Sequence, residues 1–176
     1  MTEKKNGVIE LYCDKLYVKY FKFNNKNEGE YKSFYDDQLI EINNYKDGQK
    51  EGEYQSFHSN RILMTICNYK NSEKEGEYRS YQQNGQPSII CNYKNNRREG
   101  KYQSFHSNGI LMAICNYKNN NIEGERKKYY SDGQLQIICN YKNDIMDGEY
   151  IEYYTNGQIK EICNYKNGKK NEIINI

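Results

Sequence analysis

Tryptophan is absent from this chain, proline occurs once, histidine twice, and hydrophobic residues make up only 36%. So little apolar mass excludes a thick globular core and leaves a thin structure in which each segment covers its neighbour. No apolar run approaches the ~20 residues of a membrane-spanning helix. The segment Met1–Gly7 has no apolar stretch of the signal-peptide kind, so an intracellular, cytoplasmic protein is expected. Net charge is only +2, from 26 basic and 24 acidic residues, and gives no bulk attraction to nucleic acid or anionic lipid. Phosphate-binding glycine loops, nucleophile elbows, His-Glu-x-x-His and Cys-x-x-Cys are all missing.

What is present is repetition. A glycine recurs at 29, 52, 76, 100, 124 and 148, and the tyrosine of Asn-Tyr-Lys at 45, 69, 93, 117, 141 and 165. A fixed period near 24 residues is the mark of a repeat architecture. Between glycine and tyrosine, each unit reads as two short strands joined by a turn: Asn84-Gly85, Asn108-Gly109, Asp132-Gly133 or Asn156-Gly157. These dipeptides predict two-residue type I′ hairpins. Unit 2 has Asn60-Arg61 and unit 1 is one residue shorter, at Asp36-Asp37. Polar linkers such as Lys70–Gly76 are expected to return the chain from one hairpin to the next. The predicted fold is all-β, an elongated array of about six 24-residue antiparallel hairpins over residues 24–170. Residues 1–23 supply N-terminal capping strands (Val8–Leu11 and Leu16–Phe23) and 171–176 form a C-terminal tail.

Alternation assigns faces. An aromatic two places after the glycine is present in every unit except at Arg126; a second lies five places after it (Phe34, Phe57, Tyr81, Phe105, Tyr129, Tyr153). Their opposite parity requires either aromatics on both faces or a bulge between them. In the second strand, Leu39, Leu63, Leu111, Leu135 and Ile159 are expected on the face of the Asn-Tyr-Lys tyrosine. The column Cys67, Cys91, Cys115, Cys139 and Cys163 (Asn43 in unit 1) joins them, with isoleucine 42, 66, 90, 114, 138 and 162 opposite.

The candidate chemical residues point away from catalysis. Cysteines in equivalent positions of adjacent hairpins stand ~9.6 Å apart, too far for a disulfide, which needs Cα atoms within ~7 Å. The same distance precludes a shared zinc ion, so buried reduced thiols are expected and no metal or cofactor site. His58 and His106 occupy equivalent positions ~19 Å apart and are expected to face solvent. The carboxylates beside each glycine (Glu51, Glu53, Glu75, Glu77, Glu123, Glu125) recur too regularly for a catalytic pair and are expected to pair with the lysines of Asn-Tyr-Lys. Those lysines, 46, 70, 94, 118, 142 and 166, stand in a column beside aromatics, an arrangement that single-stranded nucleic acid could use, though the near-zero net charge opposes it.

The run Gly-Glu-Tyr-Ile-Glu-Tyr-Tyr-Thr-Asn-Gly-Gln-Ile-Lys-Glu-Ile-Cys-Asn-Tyr-Lys-Asn-Gly, residues 148–168, resembles the MORN-repeat variant found in bacterial antitoxin-like proteins, and the likeness extends over roughly 24–170. Large DNA viruses with AT-rich genomes also encode such repeats, and the richness in Asn, Lys, Ile and Tyr suits such a genome. The resemblance implies a MORN-like ribbon or solenoid-like sheet that acts as a non-enzymatic protein scaffold, in some members dimeric and in some neutralising a nuclease or other toxin-like partner. Peripheral membrane or phosphoinositide binding is the alternative it implies, although tryptophan and the denser glycines of standard MORN repeats are missing here. Single-stranded nucleic-acid binding is the second alternative.

Overall fold

In a computed structural model, described for residues 6–173, the chain is all-β. Residues 1–5 and 174–176, which include the start of the expected cap and the end of the expected tail, lie outside the described residues. Two compact units divide the chain: one runs to Gly85 and includes Tyr93–Asn96, the other holds Gln86–Asn92 and everything from Arg97.

The first unit is an antiparallel meander of β1 (Gly7–Cys13), β2 (Leu16–Phe23), β3 (Lys26–Tyr35), β4 (Gln38–Lys46), β5 (Gln49–Lys50), β6 (Gly52–Phe57), β7 (Leu63–Lys70) and β8 (Glu73–Tyr81). Its strands pair in chain order, with β5 set against β4. Strand β9 (Pro87–Lys94) gives its first six residues to the second unit. That unit continues as a second meander through β10 (Arg97–Phe105), β11 (Leu111–Lys118), β12 (Asn121–Tyr129), β13 (Leu135–Lys142), β14 (Ile145–Tyr153), β15 (Ile159–Lys166) and β16 (Lys169–Ile173).

From β4 onward two kinds of turn alternate, and they are the reverse of those expected; before it, Asp36-Asp37 joins β3 to β4 as a two-residue turn with φ 51° and 59°. The supposed linkers are the tight turns. Lys70 pairs with Glu73 across Asn71-Ser72, Lys118 with Asn121 across Asn119-Asn120, and Lys142 with Ile145 across Asn143-Asp144. Both central residues of each have positive φ, between 50° and 72°, which is the I′ geometry. The Asn-Gly loops are one residue longer. Gly109 N–H donates to the His106 carbonyl at 2.9 Å, and His106 N–H to Ile110 at 2.8 Å, with glycine alone at positive φ (82°). That is a three-residue loop with a G1 bulge. Arg61 adopts the same conformation, φ 67°, in the second repeat.

Except at Gly52, where β6 begins, the recurring glycine is not the start of a strand. It lies inside one, as part of a bulge: Cys67 pairs with Tyr78 but Asn68 with Glu75, so Gly76-Glu77 protrudes. Gly76 has φ 81° and open space where a Cβ would stand, so backbone conformation rather than crowding calls for glycine.

A further bulge reassigns the faces. Ser104 pairs with Ala113 but Phe105 with Leu111, and Met112 is the extra residue. Leu111 is thereby moved off the tyrosine face expected for it and onto the face of Ile114, opposite Phe105; Leu63 and Leu135 shift likewise. Both faces therefore carry aromatics. One face holds Tyr102, Ser104, Ala113, Cys115 and Tyr117; the other holds Gln103, Phe105, Leu111 and Ile114. The most buried residues all lie on the first: the five column cysteines at 0–4% exposure, Asn43, Ala113, and Ser33, Ser56 and Ser104. On a single-layer sheet only same-face neighbours can cover them, and the tyrosine rings are the large neighbours available.

Candidate functional site

Three consecutive repeats build the same group on the cysteine face. The aromatic two places after the glycine meets the Asn-Tyr-Lys tyrosine edge-to-face: Tyr54–Tyr69, Tyr78–Tyr93 and Tyr102–Tyr117 have centroids 5.4–5.7 Å apart at 66–73°. A cation caps each pair. Lys50 Nζ lies 4.8 and 5.4 Å from its two rings, Lys74 Nζ 5.0 and 5.1 Å, and the Arg98 guanidinium 6.0 and 4.3 Å. In the fifth repeat the cation has moved into the missing tyrosine's own place: Arg126 lies 6.0 Å from the Tyr141 ring and bonds its hydroxyl, and Ile122 stands where Arg98 would. Burial pushes the Tyr54, Tyr102 and Tyr117 phenols above their ordinary pKa and holds Tyr69 up at about 12. It raises the Cys67, Cys115, Cys139 and Cys163 thiols as well, which makes them poor nucleophiles.

These cations were missed by sequence reasoning, which chose the wrong lysines. Lys46, Lys70, Lys94, Lys118, Lys142 and Lys166 are exposed beside the tight turns, and none is placed over a ring. The signal was available: 50, 74 and 98 share the same 24-residue step.

The carboxylates before the glycines do not pair with those lysines as a set. Glu51, Glu75, Glu99 and Glu123 accept the backbone N–H of Asn71, Asn95, Asn119 and Asn143, the first residue of the tight turn in the following repeat. Asp147 accepts from Asn167 and is the one that also meets its lysine, Lys166. The carboxylates after the glycine turn to their own strand, Glu77 to Arg79 and Glu125 to Lys127. Each tight turn makes a second link. Asn96 and Asn120 N–H donate to the carbonyls of Lys74 and Arg98, and their side-chain oxygens accept from the same residues' N–H.

The histidines serve the opposite hairpin ends and are not solvent-facing. His58 Nε2 lies 2.9 Å from the Tyr81 carbonyl and His106 Nε2 2.9 Å from that of Tyr129, so each donates to the next repeat. The Tyr130 hydroxyl does the same to Tyr153. Asn60 and Asn108 add bonds to Gln83 and Ser131. The residues that looked chemical are thus clasps between repeats. The six cysteines are free thiols, five buried and Cys13 exposed, and among the described residues no group of His, Cys, Asp and Glu is arranged to hold a metal.

With this geometry in place, comparison with protein families gives one match, to the MORN repeat variant, at residues 27–47, 74–95, 98–119, 122–143 and 146–167, more than half of the chain. The chain belongs to the MORN repeat variant family. Each match is bounded by the tight turns, so the MORN unit runs from one I′ turn to the next rather than from glycine to tyrosine. The hairpin between the first two matches, with Arg61 in its loop, is passed over. No curated protein matches the chain. Membership makes it a hairpin-repeat scaffold of a kind known for non-catalytic roles.

Proposed function

We propose that this protein is a non-enzymatic scaffold that binds another protein through its first hairpins. One observation carries the reading. Of twelve large hydrophobic residues exposed among the described residues, seven fall between Val8 and Tyr35: Val8, Leu11, Tyr12, Leu16, Phe21, Phe23 and Tyr35. Register puts Val8, Tyr12, Phe21 and Phe23 on one face and Leu11, Leu16 and Tyr35 on the other, so apolar surface is exposed on both sides of these strands, and such concentration marks interaction sites. Where a tyrosine pair lies under its own cation the defining residues are engaged with one another, and the exposed apolar side chains gather in the first hairpins instead.

A protein partner suits this surface better than a membrane. Lys15, Lys19, Lys26 and Lys32 surround it, but each has its own carboxylate, in Asp36, Glu10, Asp47 and Glu30. Anionic lipid is drawn by uncompensated basic clusters. A narrower reading, regulation of a nuclease-type partner, rests on family likeness alone.

The test is capture of partners by tagged protein from nuclease-treated lysate, beside a Leu11→Lys/Tyr12→Lys variant. A stoichiometric protein lost in the variant supports the proposal, and a nuclease in that band supports the narrower form. Retention on floated liposomes with no protein captured would overturn it.

A further inference from the structure

The tyrosine pair of the last repeat has the geometry of its siblings but not their cation. Tyr150 and Tyr165 meet at 5.7 Å and 62°. Met146 stands 24 residues beyond Ile122, where Lys50, Lys74 and Arg98 stand in their repeats. Among the described residues no cation lies over these two rings. The first repeat's pair, Tyr31–Tyr45, also has none directly above it, but Tyr20 packs on Tyr31 at 5.9 Å with Lys22 over Tyr20. Among the described residues the last pair has no such cover.

Two part-buried carboxylates stand beside it. The Tyr150 hydroxyl donates to Glu152 Oε2 at 3.4 Å, and the Glu152 and Glu161 side chains are only 17% and 26% exposed. Burial and these two carboxylates together raise the Tyr150 phenol above its ordinary pKa. Lys160 and Lys170 pair with the carboxylates from more exposed positions; Lys170 stands opposite Tyr165 across the ladder but turns its ammonium to Glu161. The methionine can follow the course of a lysine's aliphatic stem but ends without the charge.

We propose that Tyr150 and Tyr165, with Met146, Glu152 and Glu161 around them, form a binding site for a lysine or arginine side chain supplied by a partner protein. The sister pairs identify the occupant, since the chain itself fills them with two lysines and one arginine. An aromatic face attracts such a cation most when it is partly desolvated. The site deepens the scaffold reading and rests on it for the source of the side chain.

The experiment is a titration of the full chain with a short blocked peptide carrying one lysine, and with its norleucine counterpart, followed through the ring NMR signals of Tyr150 and Tyr165. Saturable shifts with the lysine peptide alone are expected. Met146→Lys, which gives the repeat its own cation, should weaken that response by about two- to fivefold. Met146→Leu, which keeps the bulk without charge, should retain it. Equal shifts with norleucine, no saturation, or an undiminished response in Met146→Lys would overturn the site. Binding to phosphatidylcholine vesicles with none to the peptide would also overturn it, in favour of a quaternary ammonium headgroup. A partner captured equally by wild type and Met146→Lys would leave the scaffold reading intact and overturn this site.

Discussion

The hairpins β6–β7 and β10–β11 are close to copies. Both run Gln-Ser-Phe-His-Ser-Asn-x-Ile-Leu-Met-x-Ile-Cys-Asn-Tyr-Lys, and both bury the serine and cysteine, pair their tyrosines edge-to-face and clasp the next repeat through histidine. They differ where the family pattern passes over the first: Arg61 against Gly109 in the loop, Thr65 against Ala113 on the cysteine face, and Glu53 against Lys101 on the other. The same three-residue loop forms in both. Register, set by the strands and their clasps, therefore dictates the loop, and the loop residue only modulates its cost.

The buried column should break the likeness most severely. Cys115→Asn would place an amide in a site 4% exposed without the polar partners of its natural counterpart, costing about 2–3 kcal/mol in urea unfolding. In the first repeat, Asn43 gives its amide to Glu41 Oε1 at 2.7 Å, and that carboxylate is held by Lys50; Asn43 Oδ1 is buried with no partner. Asn43→Cys should accordingly raise stability by about 1 kcal/mol.

The loop exchange comes next. Gly109→Arg forces a residue with a Cβ to φ 82°, and that Cβ would stand 2.4 Å from Gln86 Oε1, a movable side-chain end. A loss of about 1–2 kcal/mol follows. Arg61→Gly should gain about 1 kcal/mol, since the strain at φ 67° is relieved. Opposite signs in the two hairpins would sharpen the comparison, and equal signs would break it.

The clasp is smaller. His106→Phe keeps the ring and loses the bond to Tyr129, at a cost of about 1 kcal/mol in either hairpin. A gradual effect should appear at high pH. Tyr69 ionises near 12 in the folded chain, whereas an unfolded tyrosine ionises near ~10. Below pH ~10 both states keep the proton; between ~10 and ~12 only the unfolded state loses it, so stability falls as pH rises through that window. A denaturation series from pH 8 to 12 would measure the slope.

The period and the cysteine column were legible in sequence because they repeat, and the strand Leu16–Phe23 because of its dense aromatics. Turn lengths were not, because Asn-Gly and Asn-Asn both tolerate positive φ and only pairing on both sides decides which is tight. Leu111 was placed on the wrong face for a related reason: parity holds only in an unbroken strand, and the bulge at Met112 leaves no compositional mark. The roles of Glu75 and His106 depend on which backbone group the next repeat brings beside them, and that is a property of register between repeats. Met146 was readable as an exception only after Lys50, Lys74 and Arg98 had been recognised as a column.

The central claim is that the repeats hold together by covering one face of small side chains with tyrosines, and thiol counting tests it most directly. A disulfide reagent added to the reduced native protein should modify Cys13 promptly and leave Cys67, Cys91, Cys115, Cys139 and Cys163 unreacted until denaturant unfolds the chain. Two or more thiols reacting promptly in the native protein would contradict the account.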